Sequence, residues 1–138
     1  MRKDGSETKK KILTVCVRLF LEQGYRNTSI TQIVEEAGVA RGSFQNLFPT
    51  KDKILLDLTE TMFGGQFGVA RSIAGSKLPS VYAYAVDTAI QLTLTELNEN
   101  LREIYIEAYT APDTAEYIYV HTTAELKEIF GGNFPDYS

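Results

Sequence analysis

Between Arg41 and Asn46 the sequence places Arg41, Gly42, Ser43, Gln45 and Asn46. An arginine can donate two parallel hydrogen bonds to the edge of a guanine, and an asparagine or glutamine can do the same for an adenine. Gly42 removes bulk where a helix must come close to a base or sugar. Lys51 follows at the start of another helical run, where backbone N–H groups and the helix dipole already favour an anion such as phosphate. This is a chemistry of gripping and reading a polyanion.

Residues for other chemistry are few. His121 is the single histidine, and Glu116 is five residues away, outside the spacing that puts two metal ligands on one helix face. Glu103 and Glu107 stand four apart without a histidine at ligand spacing, so a solvated face is expected. Cys16, the lone cysteine, falls in an apolar stripe and reads as core. It excludes an intrachain disulfide and a zinc cluster and suits a reducing cytoplasm. The run "GGQFG" lacks the preceding strand and the spacing of a nucleotide-binding loop. A helical enzyme or metal bundle would have little to work with, and neither catalysis nor a cofactor is expected.

The elements that must position these residues follow from apolar spacing. Ile12, Cys16, Leu19 and Phe20 form one helical stripe. Leu13, Val17 and Leu21 widen it, so cover on more than one side is expected for a first helix from Glu7 to Gln23. Gly24 ends it. Thr28 or Ser29 can cap a second helix whose buried face is Ile30, Ile33, Val34 and Ala37, and Gly38 stops it. A third helix, starting near Ala40 or Arg41, carries Phe44, Leu47 and Phe48 and is limited by Pro49. Thr50 caps a fourth. Gly64, Gly65 and Gly68 cost roughly 1 kcal/mol each relative to alanine in a helix interior, so a kink or loose end is expected there. Residues 74–79 read as a linker, with Pro79 suited to the first position of a helix that ends near Leu97. "NEN" (98–100) breaks the pattern. Further helices are expected over 101–110 and from about Thr114 to Phe130, ending at "GGN". No β pattern or internal repeat is present, and the fold class is all-α.

Composition fits this reading. The chain of 138 residues, 43% apolar and 23% charged, is that of a soluble globular protein. No run approaches the roughly 18 apolar residues of a membrane span, and the charged N-terminus does not read as a signal peptide. Residues 1–53 hold ten Lys/Arg against six Asp/Glu, a net +4, while residues 54–138 hold four against twelve, a net −8. A basic first third on an acidic body suggests an end that faces a polyanion.

Two short helices joined by a glycine-containing turn match a helix-turn-helix, whose second helix lies in the major groove of DNA. The stretch "ILTVCVRLFLEQGYRNTSITQIVEEAGVARGSFQNLFPTKDKILL", Ile12 to Leu56, resembles the TetR family of bacterial transcriptional regulators, over about the first third of the chain. The resemblance implies a helix-turn-helix DNA-binding domain (1–52), joined by a linking helix to a helical ligand-binding and regulatory domain (53–138). Thr28, Thr31, Arg41, Gly42, Ser43, Gln45, Asn46 and Lys51 are then the expected DNA contacts, with Lys51 on phosphate. Relatives usually carry tyrosine where this chain has Gln45, and often histidine or tyrosine where it has Leu47. The sequence of a relative's operator therefore does not transfer.

Seven of the eight tyrosines lie beyond residue 80. They are filler in a helical core with hydroxyls at the surface, or, on the family-like reading, an aromatic pocket for a small apolar or aromatic effector. Phe63, Phe67, Tyr82, Tyr105, Tyr109 and Tyr117 are the expected lining. The family also implies a cytoplasmic homodimeric repressor, nucleoid-associated when bound to a palindromic duplex operator and released by its effector. Family members continue with two more long helices that build the dimer interface, so the second domain is expected to be incomplete and to expose apolar surface. The alternative is a helical interaction module that turns its helix-turn-helix toward protein.

Overall fold

The computed structural model describes residues 2–74 and 79–130, apart from the side chains of residues 2–4, 66, 67, 71, 74, 80, 129 and 130. Among these the chain forms α1 (Arg2–Gln23), α2 (Ile30–Ala37), α3 (Arg41–Leu47), α4 (Lys51–Ala74), α5 (Ser80–Leu97), α6 (Glu99–Thr110) and α7 (Pro112–Phe130), with no strand. The expected all-α class holds. Helix α1 starts five residues before Glu7. Arginine, lysine and glutamate, frequent in this stretch of the sequence, are good helix formers.

The short helices are defined by their ends. Ser29, in extended backbone, accepts the N–H of Gln32 at 3.1 Å and caps α2. Gly38 adopts the left-handed conformation, with φ 65° and ψ 35°. Its N–H donates to the carbonyl of Val34, and the next N–H, of Val39, donates to the same carbonyl, closing the helix. Two residues later Ala40 returns to extended backbone and α3 begins without a side-chain cap. Thr50 accepts the N–H of Lys53 at 3.2 Å at the start of α4.

One core gathers these helices. Ile12, Cys16, Leu19 and Phe20 of α1 are buried with Ile33 and Ala37 of α2, Phe44 and Phe48, and Ile54, Leu55 and Leu58 of α4. The core thus crosses the boundary expected at residue 52, and Ile104 of α6 also enters it. Val17 differs from expectation: it is 42% exposed and lines a groove of about 340 Å³ with Leu13 and Leu58.

Helix α4 runs through Gly64, Gly65 and Gly68 without ending. The loose end expected there does not form, because α5 and α7 pack along α4 and tertiary packing outweighs weak propensity. The expected linker falls mostly on residues 75–78, outside the described residues, as does the "GGN" end. Pro79 is the N-cap of α5, with φ −56° and ψ 153°, rather than its first helical residue. The break at "NEN" shrinks to one residue. Asn98 closes α5 with its N–H on Leu94, and its side chain accepts the N–H of Leu101 at 2.9 Å to open α6. Pro112 opens α7 after extended Ala111. The outer faces of α5–α7 expose Leu92, Leu97, Ile106, Tyr119 and Val120.

Burial also fixes the state of the lone thiol. Cys16 is fully buried, and desolvation pushes its pKa up to about 12, against a smaller opposing pull from the Lys51 charge. Iodoacetamide at pH 8 should therefore leave the folded protein unmodified and label Cys16 fully in urea; mass spectrometry would show it, and rapid labelling of the native chain would contradict this packing.

Candidate nucleic-acid interface and aromatic cluster

Helix α3 has only seven residues, and its two phenylalanines set its orientation. Phe44 lies within α3 and Phe48 is its C-cap; both are fully buried, with ring centroids 5.9 Å apart. Four residues apart, they lie on one face. Arg41, Gly42, Ser43, Gln45 and Asn46 are then all exposed, as the spacing predicts. A Cβ added at Gly42 would meet no atom within 4 Å, so this surface is open. Arg41 reaches back across the turn, its Nη1 donating to Thr31 Oγ1 of α2 at 3.3 Å. The structure thus joins Thr31, Arg41, Gly42, Ser43, Gln45 and Asn46 on one outward surface.

Two expected members are elsewhere. Thr28 is 1% exposed, and its hydroxyl donates to the carbonyl of Gly24 at 2.8 Å. It also accepts from the side-chain amide of Gln23 at 3.2 Å. It braces the α1–α2 turn instead of facing outward. Lys51 is also turned in. Its ammonium donates to the backbone carbonyl of Tyr25 and lies 4.2 Å from the centroid of the Tyr25 ring, a cation–π geometry. Burial holds its pKa below the usual lysine range, although the charges of Glu107 and Glu103 oppose the shift. Lys51, expected on phosphate, is thus held against Tyr25 at the α1–α2 turn.

What the first turn of α4 does present is Lys53, which is exposed, with Asp57 3.9 Å away. Sequence reading passed over it because Lys51 and Lys53 share one helix start, and only packing tells inward from outward. The other cations are mostly paired. Arg18 meets Glu36 at 2.7 Å, Lys9 meets Asp57 at 3.1 Å, and Arg26 is bound to Glu107. Among the described basic side chains up to residue 53, Lys10, Lys11, Arg41 and the inward Lys51 have no carboxylate within ion-pair distance. Lys11 Nζ lies 4.0 Å from where a Cβ on Gly38 would stand, beside the α2–α3 turn.

In the second half, three helices bring rings together. Phe63 of α4 stands edge-on to Tyr105 and Tyr109 of α6, at centroid distances of 6.1 and 6.2 Å, and to His121 of α7 at 6.4 Å. Tyr117 stacks on His121 at 5.6 Å, and a Cβ on Gly64 would come within 4.0 Å of its hydroxyl. Tyr105 is buried, and that burial raises its pKa to about 12, helped by Tyr109 and Asp87. Tyr109 is half-exposed, its hydroxyl accepting from Gln91 at 3.2 Å. Of the expected lining, Phe63, Tyr105, Tyr109 and Tyr117 converge. Tyr82 is 52% exposed and joins no ring pair among the described residues, and the Phe67 side chain lies outside them. His121, set aside in sequence as a poor metal ligand, is a central ring of the cluster. Its Nε2 lies 3.7 Å from Glu125, whose pKa is raised by burial against the opposing pull of His121.

Residues 12–58 match the family model of bacterial regulatory proteins, tetR family. A transcriptional regulator of Bacillus subtilis (strain 168), YuxN, is 29% identical over 97 residues, covering 70% of this chain and 31% of that protein. The regulator HbdR of Aromatoleum sp. (strain CIB) is 34% identical over 66% of this chain and 43% of its own length. The transcriptional repressor KstR2 of Rhodococcus jostii (strain RHA1) is 31% identical over 56% of this chain and 37% of its own. The chain thus spans less than half the length of these curated relatives. No solved structure matches it. Among the described residues, no helix is long and apolar enough to cross a membrane.

The inward Lys51 has a measurable consequence. Replacing it with methionine keeps the stem and leaves the Tyr25 carbonyl only the backbone N–H of Thr28, at 3.2 Å, as donor, at an expected cost of about 1 kcal/mol. Urea denaturation of Lys51→Met should show a loss of that order; unchanged stability would mean that the ammonium holds nothing.

Proposed function

We propose that this chain, which belongs to the TetR family of bacterial regulatory proteins, is a non-enzymatic, ligand-responsive DNA-binding regulator acting in the bacterial cytoplasm, most simply as a repressor. The observation that carries the reading is the outward set Arg41, Ser43, Gln45 and Asn46, held by buried Phe44 and Phe48 on a helix that follows a glycine turn. In the major groove, Arg41 would pair with guanine, and Gln45 or Asn46 with adenine. Thr31, at the start of α2, and Lys53, at the start of α4, would lie toward the sugar–phosphate backbone, where contacts position without specifying sequence. Two such surfaces in a homodimer would sit about 34 Å apart on a palindromic site. The apolar side chains exposed on α5–α7 support association with a second copy or with further chain.

The aromatic cluster suits a small apolar or aromatic effector. A ligand acts on DNA affinity only if it binds one conformational state better than the other. Phe63 adjoins Gly64 and Gly65 within α4, the helix that joins the cluster to the N-terminal core, so α4 is the natural element to respond. The domain division follows as a reading core carrying the first turns of α4 and a sensing half beyond it.

Binding to a palindrome from near the chain's own gene should exceed binding to random duplex; equal affinities would refute the reading. Arg41→Ala should relax preference at one or two base positions, whereas Lys53→Ala should weaken all sites alike and reduce the slope of log affinity against log salt by about 0.9. On the effector side, a compound at 100 times its Kd should stabilise the protein by about 2.7 kcal/mol. Small aromatic compounds that raise the melting temperature should lose that effect in Phe63→Ala; a ligand indifferent to this change binds elsewhere.

A further inference from the structure

Glu103 and Glu107, whose spacing suggests a solvated face, are instead engaged with the α1–α2 turn. The backbone N–H of Arg26 donates to Glu103 Oε1 at 3.2 Å, and the Arg26 side chain donates to Glu107 Oε1. Asn100, one turn earlier on α6, donates from Nδ2 to the carbonyl of Leu21 at 2.8 Å. Gly24, with φ 94°, lets the turn close: a Cβ there would lie 3.4 Å from Glu103 Oε2. The Glu107 side chain is only 18% exposed, so its charge is not simply given to water.

The far side of the same turn is tied to α2. The Gln23 side-chain amide donates to Gln32 Oε1 at 2.7 Å. The buried Thr28 hydroxyl bonds back to Gly24, and Ser29 caps α2. Thr31, in the first turn of α2, meets Arg41. Polar contacts at either end, joined by the backbone of residues 26–31, therefore link α6 to the outward surface of α3.

We infer that Glu107, with Glu103, is a positioning residue for DNA reading: it fixes the α1–α2 turn through Arg26, and the turn fixes the start of α2 and the Arg41 guanidinium. Neither acid touches DNA. The inference rests on the reading of α3 as the DNA-facing helix. It makes α6 more than a wall of the aromatic cluster, because the helix that carries Tyr105 and Tyr109 also holds the reading head in place.

The test compares wild type, Glu107→Gln and the charge-swapped double variant Arg26→Glu/Glu107→Arg, all as the full chain. The duplex is one that wild type selects from a random pool. Glu107→Gln should bind it about five-fold more weakly, as for a partly buried ion pair, with the same base preference, and the double variant should recover most of the loss. Hydrogen exchange without DNA should speed up at the amides of residues 24–32 while those of α7 keep their rates, a local signature that general destabilisation would not produce. Unchanged affinity with unchanged exchange at 24–32 would overturn the inference, as would a loss that the swap fails to repair while exchange rises everywhere. If wild type selects no duplex, the DNA reading itself fails, and the exchange pattern alone decides whether Glu107 holds the turn.

Discussion

The burial of Phe44 and Phe48 is the constraint on which the outward surface depends. A seven-residue helix has no independent stability in water, where isolated helices shorter than about 12 residues are marginal. Helix α3 exists because these two rings sit in a core with Ile12, Phe20, Ile33 and Ile54. Each buried ring contributes on the order of 1.5–3 kcal/mol of transfer free energy. Their four-residue spacing leaves the remaining side chains one direction to face. The exposed polar set follows from core packing, and its chemistry is free to vary without disturbing the anchor.

A second constraint gathers around Tyr25. Its ring packs edge-on to Phe20 at 5.1 Å, its hydroxyl donates toward Asp52 at 3.5 Å, and its carbonyl and ring both receive Lys51. This small hub ties the end of α1 to the start of α4. It also shows how formal charge misleads. Of the cations in the first 53 residues, Arg18, Lys9, Arg26 and Lys51 are engaged by Glu36, Asp57, Glu107 and the Tyr25 carbonyl. The charge left for a partner resides on a few side chains whose identity only the fold reveals.

Much of this architecture was legible in the sequence. Periodicity located the helices, Gly38 and Thr50 marked their ends, and the positions of Phe44 and Phe48 predicted which residues of α3 face outward. What was not legible depended on contacts distant in the chain. Nothing local distinguishes Lys51 from Lys53, or makes Ser29 rather than Thr28 the cap while Thr28 turns inward to Gly24. The role of Glu103 and Glu107 needed Arg26, some eighty positions away. His121 has no partner at ligand spacing in the sequence, and its role is to pack between Phe63 and Tyr117, which only the fold brings to it. The glycines of α4 suggested a break because propensity is read one helix at a time.

Those glycines have a mechanical consequence. One end of α4 is embedded through Ile54, Leu55 and Leu58, and Ala70, beyond the last glycine, is again buried. Between them, only Gly64 has a neighbour that a methyl group would approach; positions 65 and 68 face open space. Smallness at those two sites is therefore not demanded by fit, and its effect is to lower the local bending stiffness. The helix is held at both ends and, at Phe63, against the rings of α6 and α7, so a displacement of those rings enters α4 beside its most easily bent turn.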